Sequence, residues 1–204
     1  MGLFWILQDI DAEASEAEPR LMHEDSDSEL MRDVARGDSE ALRRMVDTYL
    51  PRIHGFASRI LRDRVEAEDV VQEALMRAVR RAADWRPGAT RFDTWLHTVA
   101  LNLCRDRLRR CREHVIDRLP ERADPAAGPE LELLTTERSR SVEIAVHALP
   151  ERQRDAILLV HYQDLSGAQA AEVLGVSTEA LESLLSRGRR SLREKFKNQG
   201  PADD

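Results

Sequence analysis

Residues 165–192 read LSGAQAAEVLGVSTEALESLLSRGRRSL. Ser166 suits a helix N-cap, and Gln169 three residues later completes a capping box. Ala170, Val173 and Leu174 form an apolar face, and Gly175 supplies a tight turn where a left-handed backbone costs least. Ser177 caps a second helix in which Leu181, Leu184, Leu185, Gly188 and Leu192 point inward. The opposite face carries Glu182, Ser183, Ser186, Arg187, Arg189, Arg190 and Arg193. A short helix, a glycine turn and a second helix with a basic polar face make the helix-turn-helix plan. Such a second helix enters a DNA major groove, where arginine reads guanine. Residues 187–197 hold six bases and one acid, which suits contact with phosphates. A helical hairpin with a solvated charged face shares the pattern, but cap, turn and basic end together favour DNA.

The same helical spacing fills most of the 204 residues. From Ser28, the residues Leu30, Val34, Leu42, Met45, Val46 and Leu50 recur at helical intervals, with a break at Gly37-Asp38. Pro51 stops that run or starts the next helix, whose stripe is Ile53, Phe56, Ala57, Ile60 and Leu61. Val70, Val71, Ala74, Leu75, Ala78, Val79 and Ala82 make one wide buried face. Residues 84–89 break it with Pro-Gly chemistry, and Phe92, Trp95, Leu96, Val99, Ala100, Leu103 and Leu108 mark a fourth helix. Pro120, Pro125, Gly128 and Pro129 among acids mark a linker. Helical pattern returns with Val142, Ile144, Ala145, Val146 and Leu149, then Ala156, Ile157, Leu158 and Val160. Aromatics are only 4% and no strand alternation is sustained, which argues against a sandwich or barrel. The fold class expected is all-α: two small helical domains joined by a flexible acidic linker.

The net charge of −7 hides a partition. Residues 1–30 carry nine acids and one base; residues 31–112 carry eighteen bases and twelve acids. Residues 113–137 return to seven acids and two bases, and residues 138–204 balance at ten of each. A partner senses the local field rather than the total, so the total does not exclude nucleic acid. The domains expected are an acidic, mostly disordered extension (1–28), a first helical domain (29–112), a linker (113–137), the helix-turn-helix domain (138–197) and a tail (198–204). The apolar start Gly2-Leu3-Phe4-Trp5-Ile6-Leu7 lacks the basic front and the length of a secretory signal. It is either a frayed terminus or a short plug that docks on a partner or on this chain. Met22 and Met31 are alternative starts. No apolar run approaches 18 residues, so no membrane insertion is expected. Two cysteines suit a reducing cytoplasm.

The first domain narrows the function. Glu68-Asp69-Val70-Val71-Gln72-Glu73 opens a long amphipathic helix. After the Pro-Gly break come Arg91-Phe92-Asp93-Thr94-Trp95-Leu96 and Ala100-Leu101-Asn102-Leu103-Cys104-Arg105-Asp106-Arg107-Leu108-Arg109-Arg110. This order resembles region 2 of bacterial RNA polymerase sigma factors. Leu149-Pro150-Glu151-Arg152-Gln153-Arg154 followed by the helix-turn-helix resembles region 4, and the short linker resembles the extracytoplasmic-function group. The resemblance spans about residues 30–196.

That resemblance implies a set of roles. Asp69, Gln72 and Glu73 match contacts to the polymerase β′ clamp; their i, i+3 and i+4 spacing puts them on one face able to receive arginines. By themselves they equally fit acids near a helix N-terminus. Residues 85–90 match the loop that captures an extruded base of the −10 element. Trp85, Arg86, Thr90, Arg91, Asn102, Arg105, Arg109 and Arg110 are the −10 DNA candidates, with Trp85 able to stack and Phe92 and Trp95 assigned to the core. Ser177, Thr178, Glu179, Glu182, Ser183, Ser186, Arg187, Arg189 and Arg190 are the −35 candidates. Family members often carry a base where Glu182 stands, so the −35 sequence is left open. The linker resembles the segment that threads the polymerase cleft, though a plain solvated tether has the same composition. The partners implied are core polymerase (β′ clamp and β flap), promoter DNA and an anti-sigma factor. No cofactor, metal or catalytic residue is expected.

A second function fits part of the sequence: a one-component helix-turn-helix regulator with a sensing first domain. His97, Cys104 and Cys111 lie at i, i+7 and i+14, with His114 following. Seven residues on a helix span about 10 Å, too far for two ligands to share one ion without other segments. An enzyme is disfavoured because no glycine-rich phosphate loop, nucleophile elbow or His-Glu metal motif occurs.

Overall fold

The computed structural model describes residues 20–86, 88, 90–117, 137–163 and 165–197. The expectations placed on residues 1–19, on 118–136 of the linker and on the tail lie outside the described residues. Eight helices and no strand occur among the described residues. They are α1 (Arg20–Ala35), α2 (Ser39–Leu61), α3 (Arg64–Ala82), α4 (Phe92–Asp117), α5 (Glu137–His147), α6 (Glu151–Tyr162), α7 (Gly167–Leu174) and α8 (Thr178–Lys197).

Local chemistry sets the boundaries. Gly37 turns the chain after α1 at φ +79. Asp38 then caps α2, its carboxylate accepting from Glu40 N at 2.8 Å and Ala41 N at 3.2 Å. Asp63 caps α3 by accepting from Glu66 N at 3.0 Å. Each such cap contributes about 1 kcal/mol. The capping box of Ser166 and Gln169 is complete, with Gln169 Oε1 accepting from Ser166 N at 2.9 Å. Gly175 adopts φ +64, and Ser177 accepts from Ala180 N at 3.2 Å to start α8.

Three boundaries differ from expectation, the first being that α4 runs to Asp117, into the expected linker of residues 113–137. Pro51 neither stops nor starts a helix; it sits inside α2. Its ring forfeits the amide bond back to Asp47, a loss opposed by buried Met45, Tyr49, Ile53 and Phe56 on both sides of it. α1 begins at Arg20, so residues 20–28 are helical where disorder was expected. Once Met31 and Val34 are packed, adding turns backward costs little, and Leu21, Met22 and Glu24 are good helix formers. Met31, an alternative start by sequence, is fully buried.

α1 to α4 pack together, with Met31, Met45, Ile53, Phe56, Val70, Ala74, Phe92, Leu96 and Leu101 closed off from solvent. Burial of each large side chain contributes about 1.5–3 kcal/mol. α6, α7 and α8 close on Ile157, Leu158, Leu159, Leu181 and Leu185. Gly188 permits the close approach of α8 to α6: a Cβ there would stand 2.8 Å from Ile157 Cδ1. The two groups are not merely tethered, because α2 packs on α6 and α4 packs on α7.

Candidate functional site

α3 presents the expected acidic face. Asp69 and Gln72 are exposed and Glu73 half-buried, and all three line one groove with Met76, Arg77, Leu103 and Arg107. Arg77 Nε donates to Glu73 Oε1 at 2.8 Å, and that bond holds the Glu73 carboxyl below its ordinary value. Arg107 closes the far wall by donating to Glu66 at 2.8 Å. The groove therefore offers carboxylates and an amide around the exposed thioether of Met76. Arg110 belongs to this groove, away from the other −10 candidates at the start of α4.

The start of α4 is an aromatic cluster. Trp85 stands edge-on to Phe92 at 5.5 Å and to Trp95 at 5.9 Å, and Tyr49 stands edge-on to Phe92 at 4.9 Å. Trp85 is thus half-buried rather than a free stacking platform, while Arg86, Asn102 and Arg109 are exposed. Arg109 pairs with Asp106 at 3.0 Å. Arg91 is half-buried beside this cluster.

Two −10 candidates are engaged by the C-terminal helices. Thr90 Oγ1 donates to Glu172 Oε1 at 2.6 Å. Arg105 donates to Asp155 at 2.8 Å and faces Glu151 at 3.4 Å. Asp155 is fully buried; desolvation raises its carboxyl above the ordinary value despite Arg154 and Arg105. Arg52 bridges Asp93 at 3.0 Å and the Gln163 carbonyl at 3.0 Å. His97, fully buried, lies 2.9 Å from the Asp93 carbonyl through Nδ1 and 3.3 Å from Gln163 Oε1 through Nε2. Burial pushes Asp93 up, but His97 and Arg52 together hold its carboxyl below the ordinary value. The sequence assigned no role to these acids or to Gln163, although Asp93 and Glu151 stand in the stretches that carry the resemblance. An aspartate beside an apolar run, as Asp155 is beside Ala156-Ile157-Leu158, was the only local signal.

Ser177 ahead of α8 and Thr178, Glu179, Glu182, Ser183, Ser186, Arg187 and Arg190 on it are all exposed. Arg187 is pre-set along the helix by donating to Ser183 Oγ at 2.7 Å and Ser183 O at 3.2 Å. Arg189 is half-buried and stands 3.3 Å from His161 Nε2. Glu182 turns toward the N-terminus of α7: its Oε1 would be 4.0 Å from a Cβ on Gly167. There the helix dipole favours a carboxylate, which gives the acid a local reason to stand in a basic face.

The histidines and cysteines of the sensor alternative do not share an environment. His97 and Cys104 are buried, Cys111 is exposed, and the Cys104 thiol is pushed up to about 12 by desolvation. The side chain of His114 lies outside the described residues. No helix among the described residues is long and apolar enough to cross a membrane.

Residues 45–113 match the model of sigma-70 region 2, and residues 139–192 match that of sigma-70 region 4. The chain is 33% identical to the ECF RNA polymerase sigma factor SigM of Mycobacterium tuberculosis, over 83% of this chain and 84% of that protein. It is 27% identical to SigW of Bacillus subtilis, over 82% and 95%. The structure of CnrH in complex with the cytosolic domain of CnrY is similar in fold, with TM-score 0.66 and 23% identity, covering 86% of this chain and 99% of that one. The chain belongs to the extracytoplasmic-function family of RNA polymerase sigma factors.

Proposed function

We propose that residues 29–112 bind core polymerase and the −10 element, and that residues 138–197 bind the −35 element. Asp69, Gln72 and Glu73 meet the β′ clamp, residues 85–91 and the exposed polar face of α4 take the −10 strand, and α8 enters the −35 major groove. The single observation that carries this is the division of α8: Leu181, Leu185, Gly188 and Leu192 are buried, while Thr178, Glu182, Ser183, Ser186, Arg187 and Arg190 share the outer face. Bases on that face neutralise phosphates and read base edges.

The chain directs transcription initiation in the cytoplasm and catalyses nothing itself. An anti-sigma factor holds it in check, by analogy with the solved complexes of CnrH with CnrY and of RpoE with NepR from Bartonella quintana. Because Thr90 and Arg105 are bonded to Glu172 and Asp155, promoter engagement by those two residues requires α4 to separate from α6 and α7. Run-off transcription with core polymerase tests the reading. Specific transcripts that depend on this chain support it; DNA binding without any affinity for core would favour the one-component regulator.

A further inference from the structure

The described part of α1 lies upstream of residues 45–113, the segment matched to region 2. It nevertheless reaches the turn that precedes α4. Asp27 Oδ1 accepts from the Tyr49 hydroxyl at 3.3 Å. The Tyr49 ring stands edge-on to Phe92, the first residue of α4, with 4.9 Å between centroids. Phe92 in turn stands edge-on to Trp85 at 5.5 Å, where the chain leaves α3 for the turn. One carboxylate on α1 is thus linked through two rings to the residue that opens the turn, and the charge of Arg91, which closes it, acts on the same carboxylate.

Burial of Asp27 is costly, since a desolvated carboxylate is destabilised. Desolvation accordingly raises its carboxyl above the ordinary value, while Tyr49, the Arg91 charge and the Phe92 backbone amide act against that rise. The amide and the guanidinium sit at the N-terminal end of α4, where a negative charge is favoured by the helix dipole. The Tyr49 hydroxyl is the hydrogen-bond partner of Oδ1, while Oδ2 is enclosed without one. Tyr49 is buried, and its hydroxyl is held protonated by desolvation and by the neighbouring Asp27 charge, so it remains a donor at all working pH.

We propose that Asp27 is a positioning residue for the −10-reading turn: through Tyr49 and Phe92 it fixes Trp85 and the first turn of α4. This rests on residues 85–91 reading the −10 strand. Discrimination between bases there then depends on a helix outside the matched region. Asp27 is not among the residues lining the groove of Asp69, Gln72 and Glu73, so its substitution is expected to leave core affinity unchanged.

The test uses the holoenzyme assembled from core polymerase and the full chain, on a promoter recovered by run-off transcription. Rates of open-complex formation are measured on that promoter and on templates with each −10 base changed singly. Asp27→Asn keeps the shape and removes the charge; Tyr49→Phe keeps the ring contact and removes the hydroxyl. Each is expected to reduce discrimination at the captured base roughly five-fold, the scale of one lost buried hydrogen bond. The double variant is expected to match the singles, since both break one linkage. Core affinity is expected to stay at the wild-type value. If Trp85→Ala and Arg86→Ala change discrimination while Asp27→Asn does not, the positioning role is overturned. If the turn variants change nothing either, the −10 reading of residues 85–91 fails instead. Equal loss of rate on every template, together with lower core affinity, would show Asp27 to be a stability residue only and would also overturn the proposal.

Discussion

Arg105 on α4 donates to Asp155 on α6 across 2.8 Å, and Asp155 has no exposed surface. The pair joins two residues fifty positions apart in the chain, and Arg154 adds a second cation at 3.5 Å. Removing one partner of a buried pair leaves the other uncompensated, which costs about 3–5 kcal/mol when both are enclosed. Arg105 retains 28% exposure, so Asp155→Ala is expected to cost less, about 2–3 kcal/mol. Arg105→Ala is expected to cost less still, because Arg154 remains beside Asp155. Urea denaturation of both variants and their double checks the order.

The contact of Thr90 with Glu172 makes separation of the two halves testable directly. Thr90→Cys and Glu172→Cys, made together with Cys111→Ser, leave buried Cys104 as the other described thiol. Joining the two by a short bismaleimide is expected to abolish promoter-dependent transcription. Glu172→Cys alone, treated alike, should transcribe normally, and Thr90→Cys alone, altered at a −10 candidate, should still transcribe more than the joined protein. Equal activity of the joined and unjoined proteins would contradict the requirement for separation.

Reversing charge on the acidic face probes core binding. Asp69→Arg together with Glu73→Arg should abolish affinity for core polymerase and leave far-ultraviolet circular dichroism unchanged, because both side chains lie on the rim of a groove and not in the core. Unchanged core affinity would remove these residues from the contact.

The face of α8 predicts unequal arginines. Arg187 is exposed and aligned by Ser183, so Arg187→Ala is expected to cost about 1–3 kcal/mol at one −35 base pair. Arg189 is turned against His161, so Arg189→Ala is expected to weaken binding little and without base preference. Footprints on promoters with single −35 changes distinguish the two.

His147 gives the protein a pH dependence. Desolvation, with Arg62 and Arg154, lowers its pKa to about 4, from 6.5. Between these values the unfolded chain binds the proton more readily than the folded one, so stability falls as pH drops from 6.5 toward 4. Asp155 and Asp27, both raised, act in the opposite direction at the acid end of that range. The His147 contribution is therefore read as a difference: His147→Gln should lose less stability than wild type between pH 6.5 and 5. An identical slope in both proteins would contradict the assignment.

What the sequence disclosed was local. The capping box at Ser166, the turn at Gly175 and the buried face of α8 depend on residues three or four apart, so their spacing displays them. The shared face of Asp69, Gln72 and Glu73 was legible for the same reason. The bond between Asp27 and Tyr49 spans 22 positions and that between His97 and Gln163 spans 66, and no periodicity reports such pairs. Trp85 was free to stack on sequence grounds because its neighbours Phe92 and Trp95 are brought to it by a turn and not by helical spacing. Pro51 was misleading because helix continuity there depends on tertiary burial of Tyr49 and Ile53. The packing of α4 on α7 has no local signature at all.

Run-off transcription with purified core polymerase and genomic fragments tests the central claim most directly. Specific transcripts are expected only when the full chain is added, and the Asp69→Arg and Glu73→Arg variant should fail to produce them. An absence of both transcripts and core affinity, with DNA still bound through residues 165–197, would contradict it.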